Sequence, residues 1–508
     1  MEFSKRFFVT ILFVSYSVFA RSIHQNNDQQ STAHFDEKNE DHWRLQAQWT
    51  LRTKVFAPLN TKVAKNIILF LGDGMSITTL AATRVYLGHK YKHFGEELKL
   101  SFEAFPYTGL AKTYCVDQNV ADSACSGTAY LTGVKANSGT VGLSGAVKRG
   151  DCESQKDGEH SLTGLVDWAQ RAGKRTGVVT TTRVTHATPA ASFAHSADRR
   201  WESDSDLPNG FQCPDIAKQL VRGKVGSRID IVFGGGRKNF FPKSEKDAEG
   251  HYGYRSDKTD LIREWLIKKI NLGVPAKYVY NRKQLMKLNK KENHSVLGLF
   301  SPDHMPYHLE AEEDDPTLSE MTVKAIELLD NKNGFFLFVE GGRIDTAHHE
   351  AKARKALDET AEFAKAVEAA LRMVNPEDTL VVVTSDHSHT MTYSGYSKRG
   401  TDILSFTNKL NATDNIPYTT LSYANGPGYR PHDNFIRPSP TLEDLQNINF
   451  TYPALVPILR ETHGGEDVAV FAKGPWSHLF SGNFEQNFIP HAIAYASCIG
   501  PGLTHCSV

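Results

Sequence analysis

Six short, mostly apolar runs constrain this chain more than any other feature. They are Ile67 to Leu71, Thr176 to Thr180, Ile229 to Phe233, Phe335 to Val339, Leu380 to Thr384 and Val468 to Phe471. They lack the strict alternation of a strand with one wet face. Runs of this kind suit a parallel sheet covered on both sides. Between the runs at 335 and 380 the pattern changes period. Phe363, Val367, Ala370 and Val374 recur at helical spacing opposite Glu362, Lys365, Glu368 and Arg372, and Pro376 closes the stretch. Strand, helix, strand in that order predicts an α/β fold with a large, mostly parallel central sheet and helices on both faces. The 508 residues allow about three domains or one large α/β unit with insertions. Residues 56–394 and 461–508 carry the core pattern. Residues 395–460 are rich in Gly, Pro, Asn and Tyr, and read as an insertion. Residues 21–42 are a polar leader, and Trp43 to Val55 reads as an amphipathic helical arm.

Ligands in open α/β sheets bind beyond the carboxyl ends of the strands. Asp73 follows the first run, within Gly72-Asp73-Gly74. Glu340 and Asp345 follow the run ending at Val339, and Asp386 and His387 follow the run ending at Thr384. Three strands thus deliver carboxylates to one edge, which is costly unless cations neutralise them. Asp345 and His349 are four apart and share a face if their segment is helical. This mixture of Asp, His and Glu suits zinc, with an oxygen-rich corner suited to magnesium. Gly234-Gly235-Gly236 is either a phosphate cradle or a turn. The small-residue segment Asp122-Ser123-Ala124-Cys125-Ser126-Gly127-Thr128 lets backbone approach an anion closely. A helix starting there would aim its N-terminus at the bound group.

The N-terminus reads as a secretory signal over residues 1–20. Lys5 and Arg6 precede an apolar run from Phe7 to Phe19, and Val18-Phe19-Ala20 resembles a cleavage site. The run is short for a membrane anchor of about 20 residues, and no later segment is long and apolar enough to span. No spacer and hydrophobic tail of the lipid-anchor kind precedes Val508. Cell-surface anchoring is therefore expected only if the chain continues. Secretion permits disulfides among Cys115, Cys125, Cys152, Cys213, Cys498 and Cys506, for which about fifteen connectivities exist. Cys498 and Cys506 are close enough to close a small loop, Cys152 and Cys213 flank a long one, and Cys115 and Cys125 either pair or stay free. Sequons at Asn293, Asn411 and Asn449 agree with the secreted route. With 58 basic and 58 acidic residues the formal charge is zero, which argues against a nucleic-acid partner.

From about Trp43 to Cys506 the chain closely resembles animal alkaline phosphatases. The motifs that carry the resemblance are Asp122 to Thr128, Glu340-Gly341-Gly342-Arg343-Ile344-Asp345 and Glu461-Thr462-His463-Gly464-Gly465-Glu466-Asp467. The resemblance implies a zinc-dependent enzyme that hydrolyses phosphate monoesters through a phosphoserine at Ser123, with Arg199 gripping the phosphate. It implies one zinc on Asp345, His349 and His463 and a second on Asp73, Asp386 and His387. Magnesium would be held by Asp73, Thr188 and Glu340, with His186 in its outer shell. It also implies disulfides Cys152–Cys213 and Cys498–Cys506, a homodimer, a crown-like insertion at 395–460 and an N-terminal helix that reaches over the partner. Animal members add calcium. Glu249, Phe300 and Asp315 fit that site, but Ser301 stands where the family usually has glutamate. Cys125 beside Ser123 is another departure. The alternatives are a phosphodiesterase or sulfatase on the same scaffold, or a non-catalytic secreted binding protein, whose sign would be a lost ligand.

Overall fold

The computed structural model describes residues 37–292, 294–407, 412–433 and 436–506. The expected signal segment and Asn293 and Asn411 lie outside them. The described residues up to Pro58 and those from Leu59 onward form two compact units. In the first, a helix spans Glu40–Val55. Asn39 caps its N-terminus, Glu40 and Asp41 lie in the first turn and Arg52 and Lys54 in the last, complementing the helix dipole. None of its residues is buried, and Trp43, Leu45, Trp49, Leu51 and Val55 are exposed.

The second unit is built on ten strands. In chain order they are β1 (Asn66–Gly72), β2 (Tyr107–Lys112), β3 (Arg175–Arg183), β4 (Ile231–Gly235), β5 (Ala276–Val279), β6 (Ser295–Leu299), β7 (Phe335–Gly341), β8 (Thr379–Thr384), β14 (Val468–Lys473) and β15 (Gly482–Glu485). Between β8 and β14 come the short strands β9 (Ser388–His389), β10 (Met391–Tyr393), β11 (Leu421–Gly426), β12 (Ala454–Pro457) and β13 (His463–Gly464). The order across the large sheet is β15-β2-β14-β8-β1-β7-β3-β4-β6-β5. All its pairings are parallel except those of β14, which runs antiparallel to both β2 and β8. The apolar run at 468 is therefore not one of the parallel strands its composition suggested. Burial on both faces, not direction, makes a strand read as uniformly apolar. The run at 229 starts two residues early. Asp230 lies before β4, where it pairs with Arg175 at 3.0 Å and accepts from Thr176 N at 2.9 Å.

Alternate residues of each apolar run face two different cores, as a period of two requires. Ile67, Leu69, Phe336, Phe338, Leu380 and Val382 join one core, with Tyr130, Trp168, Leu220 and Ile493 from helices. Ile68, Phe70, Leu337, Val339, Val381 and Val383 join the other, with Leu80, Met321, Phe363 and Val367. The helix Ala353–Met373 buries Phe363, Val367 and Ala370 of its expected stripe, while Val374 lies past its end, half-buried in extended backbone; Glu362, expected on the wet face, is buried too. Its carboxylate accepts from Ser319 N at 3.1 Å and Ser319 Oγ at 2.6 Å, which offsets its desolvation. Phe338 lies in β7 near the middle of the sheet, fully buried, with its ring centroid 6.2 Å from that of Tyr130. Phe338→Ala should destabilise by about 3–5 kcal/mol. A denaturation midpoint unchanged from wild type would count against this core.

Within and just before 395–460, β10, β11 and β12 form a separate three-stranded sheet. Its first strand precedes residue 395. The chain leaves at β9 and returns at β13, which pair antiparallel with His389 opposite His463. All six cysteines are bridged, as Cys115–Cys125, Cys152–Cys213 and Cys498–Cys506.

Candidate active site

Register sets the site. Leu71 of β1 stands opposite Glu340 of β7 and Thr384 of β8, so the three strands end level. Asp73, Glu340 and Asp386 follow from those ends, and all three are fully buried. Gly74 makes the turn with φ +68°, and a Cβ there would lie 2.4 Å from the ring of His389. Only glycine satisfies both demands.

Asp345 lies on the helix Arg343–His349, with His349 one turn on. Asp345 Oδ1 is 3.4 Å from His349 Nε2 and 3.2 Å from His463 Nε2. The two imidazole Nε2 atoms are 3.2 Å apart. His463 Nδ1 contacts the Ala121 carbonyl at 2.7 Å and His349 Nδ1 contacts the Glu461 carbonyl at 2.5 Å. A carbonyl only accepts, so each Nδ1 carries the proton and each Nε2 presents a lone pair. Two lone pairs facing one another need a cation between them. Burial pushes His349 down to about 3 and also lowers His463, which keeps both neutral. Burial alone would raise Asp345, but the imidazoles around it, His389 donating from Nε2, outweigh burial and hold the carboxyl well below its ordinary range. Donors about 2.0–2.1 Å from one tetrahedral ion sit roughly 3.3 Å apart. The three separations here have that size.

A second group lies beside it. His387 Nε2 is 3.1 Å from Asp386 Oδ2 and 3.5 Å from Asp73 Oδ1. Ser123 Oγ is 3.3 Å from the same nitrogen. Asp73 Oδ2 accepts from Thr188 Oγ1 at 3.2 Å. Asp73 Oδ1 and Glu340 Oε1 are buried without any hydrogen-bond partner. Burial first, then the neighbouring Asp386, raises Asp73 well above its ordinary value. Burial raises Glu340 likewise, to about 7. Orphaned buried carboxylate oxygens are costly, and a bound cation would satisfy them. The described residues thus include groups able to hold metal, among them Asp73, Asp386 and His387, and Asp345 with His463.

Ser123 opens the buried helix Ser123–Thr132, and Asp122 caps it by accepting from Cys125 N at 3.2 Å. Asp122 Oδ2 also holds Arg199 Nη1 at 2.9 Å, while Arg199 Nη2 is 3.1 Å from His186 Nε2. Burial works against the Arg199 charge, but Asp122 more than restores it and raises the group. Burial and the nearby Arg199 push His186 well down, so its ring is neutral.

The residues expected to bind calcium are less well prepared. Glu249 is ion-paired with Arg237. Asp315 Oδ2 accepts from Glu312 N at 2.9 Å, and the Ser301 hydroxyl donates to the His304 carbonyl at 2.8 Å. Phe300 is buried, and its backbone N donates to the Gly234 carbonyl at 2.8 Å. Gly236 N donates to the Asp303 carbonyl at 2.7 Å, and a Cβ on Gly235 would meet that oxygen at 2.1 Å. Gly234 and Gly235 thus end β4 and only Gly236 begins a turn, a tightly packed strand end and not a phosphate cradle. Asn449 is exposed, with Oδ1 accepting from Lys355 Nζ at 2.7 Å.

Two residues of the site were not singled out from sequence. His389 Nε2 reaches Asp345 Oδ1 at 2.8 Å, and its Nδ1 meets the buried carboxylate of Glu461. Burial opposes its charge, but Glu461 and Asp345 raise it to about 10. A signal existed. His389 stands two residues after His387 and Glu461 two before His463, and alternate residues of extended chain share a side.

The alkaline phosphatase family model matches residues 64–499. The chain belongs to the alkaline phosphatase family. Among its relatives, the tissue-nonspecific alkaline phosphatase of chicken is 48% identical over 93% of this chain and 92% of its own. The human tissue-nonspecific isozyme is 46% identical over 93% and 91%. The membrane-bound alkaline phosphatase of the silkworm Bombyx mori is 48% identical over 87% and 82%. Among solved structures, the alkaline phosphatase of Thermus thermophilus superposes with a TM-score of 0.60 at 21% identity, over 89% of this chain and 94% of that one. That likeness carries the alkaline phosphatase fold, including the large, mostly parallel sheet.

Proposed function

We propose that this chain hydrolyses phosphate monoesters to an alcohol and inorganic phosphate through a phosphoserine at Ser123. The observation that carries the reading is Ser123 Oγ 3.3 Å from His387 Nε2, at a helix N-terminus, beside a buried set of carboxylates and neutral imidazoles. Asp345, His349 and His463 would hold one zinc, and Asp73, Asp386 and His387 the other. Asp73, Thr188 and Glu340 would hold magnesium, with His186 nearby. Bound zinc supplies the positive charge that lowers the pKa of a hydroxyl it touches and offsets charge on a leaving oxygen. Ser123 Oγ loses its proton to solvent and bonds to phosphorus as the ester oxygen leaves with its electron pair and takes a proton from water. Water then displaces Ser123 Oγ, giving up a proton as the serine regains one, and phosphate is released. Arg199 is held by Asp122 through Nη1, and its remaining N–H donors would bind two phosphate oxygens as a fork. Little of the alcohol needs to be contacted, which fits a broad substrate range.

The secreted route, glycosylation and a homodimer complete the reading. Three bridged cysteine pairs suit an oxidising compartment. No helix among the described residues is long and apolar enough to cross a membrane. Calcium at Asp315 and Phe300 would have to draw Glu249 away from Arg237. One assay tests the central claim: hydrolysis of an aryl phosphate monoester against the matching diester and sulfate, with and without chelator. A chelator-sensitive preference for the monoester is expected. Equal or better turnover of diester or sulfate, or none of any substrate, would overturn it. Arg199→Ala should also weaken inhibition by inorganic phosphate about 10- to 100-fold, the worth of a charged fork contact. Unchanged inhibition would remove Arg199 from the anion site.

A further inference from the structure

The segment that joins β2 to the helix Ser123–Thr132 carries an unusual density of contacts to the site. Three consecutive residues serve three parts of it. The Ala121 carbonyl accepts from His463 Nδ1 at 2.7 Å. Asp122 Oδ2 accepts from Arg199 Nη1 at 2.9 Å, and Oδ1 accepts from Gly139 N at 2.9 Å. Ser123 supplies the hydroxyl. Yet the five residues before them, 116–120, are all exposed. Such a stretch has little burial to hold it, and a loosely packed loop opens at small cost. What ties it down is a few polar contacts, such as Val116 N to the Ala136 carbonyl at 2.9 Å and Ser138 N to Asp117 Oδ1 at 2.8 Å. One covalent bond adds to them. Cys115 starts the loop, Cys125 sits in the first turn of the helix, and the two are joined with a Cα separation of 5.7 Å. Both are buried.

We infer that the Cys115–Cys125 disulfide is a positioning element of the active site, setting Arg199 through Asp122 and His463 through the Ala121 carbonyl. The inference rests on the roles proposed above for Arg199 and His463. The bond closes a loop ten residues along the chain, so it limits how far Ala121 and Asp122 can drift from the helix. A bridge that served only global stability would leave anion affinity alone.

The test is the double variant C115A/C125A in the full chain. Inhibition by inorganic phosphate should weaken about fivefold, with KM rising in parallel, and zinc should leave faster into a chelator. In an Arg199→Ala background, removing the bridge should weaken phosphate inhibition less than it does in the parent, because only the His463 contribution remains. Should the double variant fail to fold, a glycine inserted after Asn119 keeps the bridge while slackening the loop, and the same loss is expected. Unchanged phosphate inhibition, in either form, overturns the inference even if the thermal midpoint falls. A strong effect of Arg199→Ala with none from the bridge defeats this inference alone. No effect of Arg199→Ala defeats the Arg199 role and this inference together.

Discussion

Ser123→Ala is expected to abolish the phosphoenzyme and cut turnover by on the order of a thousandfold or more, while the protein keeps its fold and its metal. The expectation comes from how little else Ser123 does. Its hydroxyl touches His387 Nε2 at 3.3 Å, and the cap of its helix is Asp122. Losing one buried oxygen leaves Asp73, Asp386 and His387 in place, so zinc content should match wild type. Rapid quenching with labelled substrate followed by acid precipitation reads the covalent intermediate directly. A variant that still labels, or that turns over at the parental rate, would refute covalent catalysis at this serine.

For His463→Ala the expected loss is of metal first and rate second. His463 Nε2 lies 3.2 Å from both Asp345 Oδ1 and His349 Nε2. Removing it takes one of three converging donors. A catalytic zinc usually has about three protein ligands, so two should hold it poorly. About one zinc per chain should be lost, turnover should fall by on the order of a hundredfold or more, and excess zinc should restore part of it. The group at Asp73, Asp386 and His387 takes no donor from His463, whose ring only stacks on that of His387 at 3.5 Å, and should stay filled. Metal analysis that finds full zinc in the variant would place His463 outside the coordination sphere.

Much of this site was legible because a strand end is a local event. Asp73, Glu340 and Asp386 each follow an apolar run, and the level ends of β1, β7 and β8 are what such runs build. The Asp345 and His349 pair was legible from helical spacing alone. His463 was different. It is brought in by the two-residue pairing of β13 with β9, after an excursion through a separate small sheet, and two residues carry no periodic signal. Only the family motif pointed to it. Arg199 was likewise found by resemblance, since its placement depends on Asp122, 77 residues away in sequence. β2, β5, β6 and β15 were not among the six runs. In β2, Tyr107, Thr108 and Lys112 are at least partly exposed, and β5 and β15 are likewise partly exposed, whereas β6 is buried throughout and was missed all the same. The antiparallel course of β14 leaves no mark on composition at all.

The placement of β14 and β15 also bears on how such a chain is made. β2 leaves the ribosome early, yet its neighbours in the sheet are residues 468–473 and 482–485. At about 5–20 residues per second, synthesis leaves it waiting roughly tens of seconds before either partner exists. During that time its backbone donors and acceptors are open to any passing strand. The helix Ser123–Thr132 follows it after a short loop. The bridge from Cys115 to Cys125 spans only neighbours in sequence, so an oxidase can close it long before the sheet is complete. A truncated product ending before residue 468 would carry Ser123 and all the proposed metal donors, yet expose an unpaired edge on β8, and would be expected in aggregates.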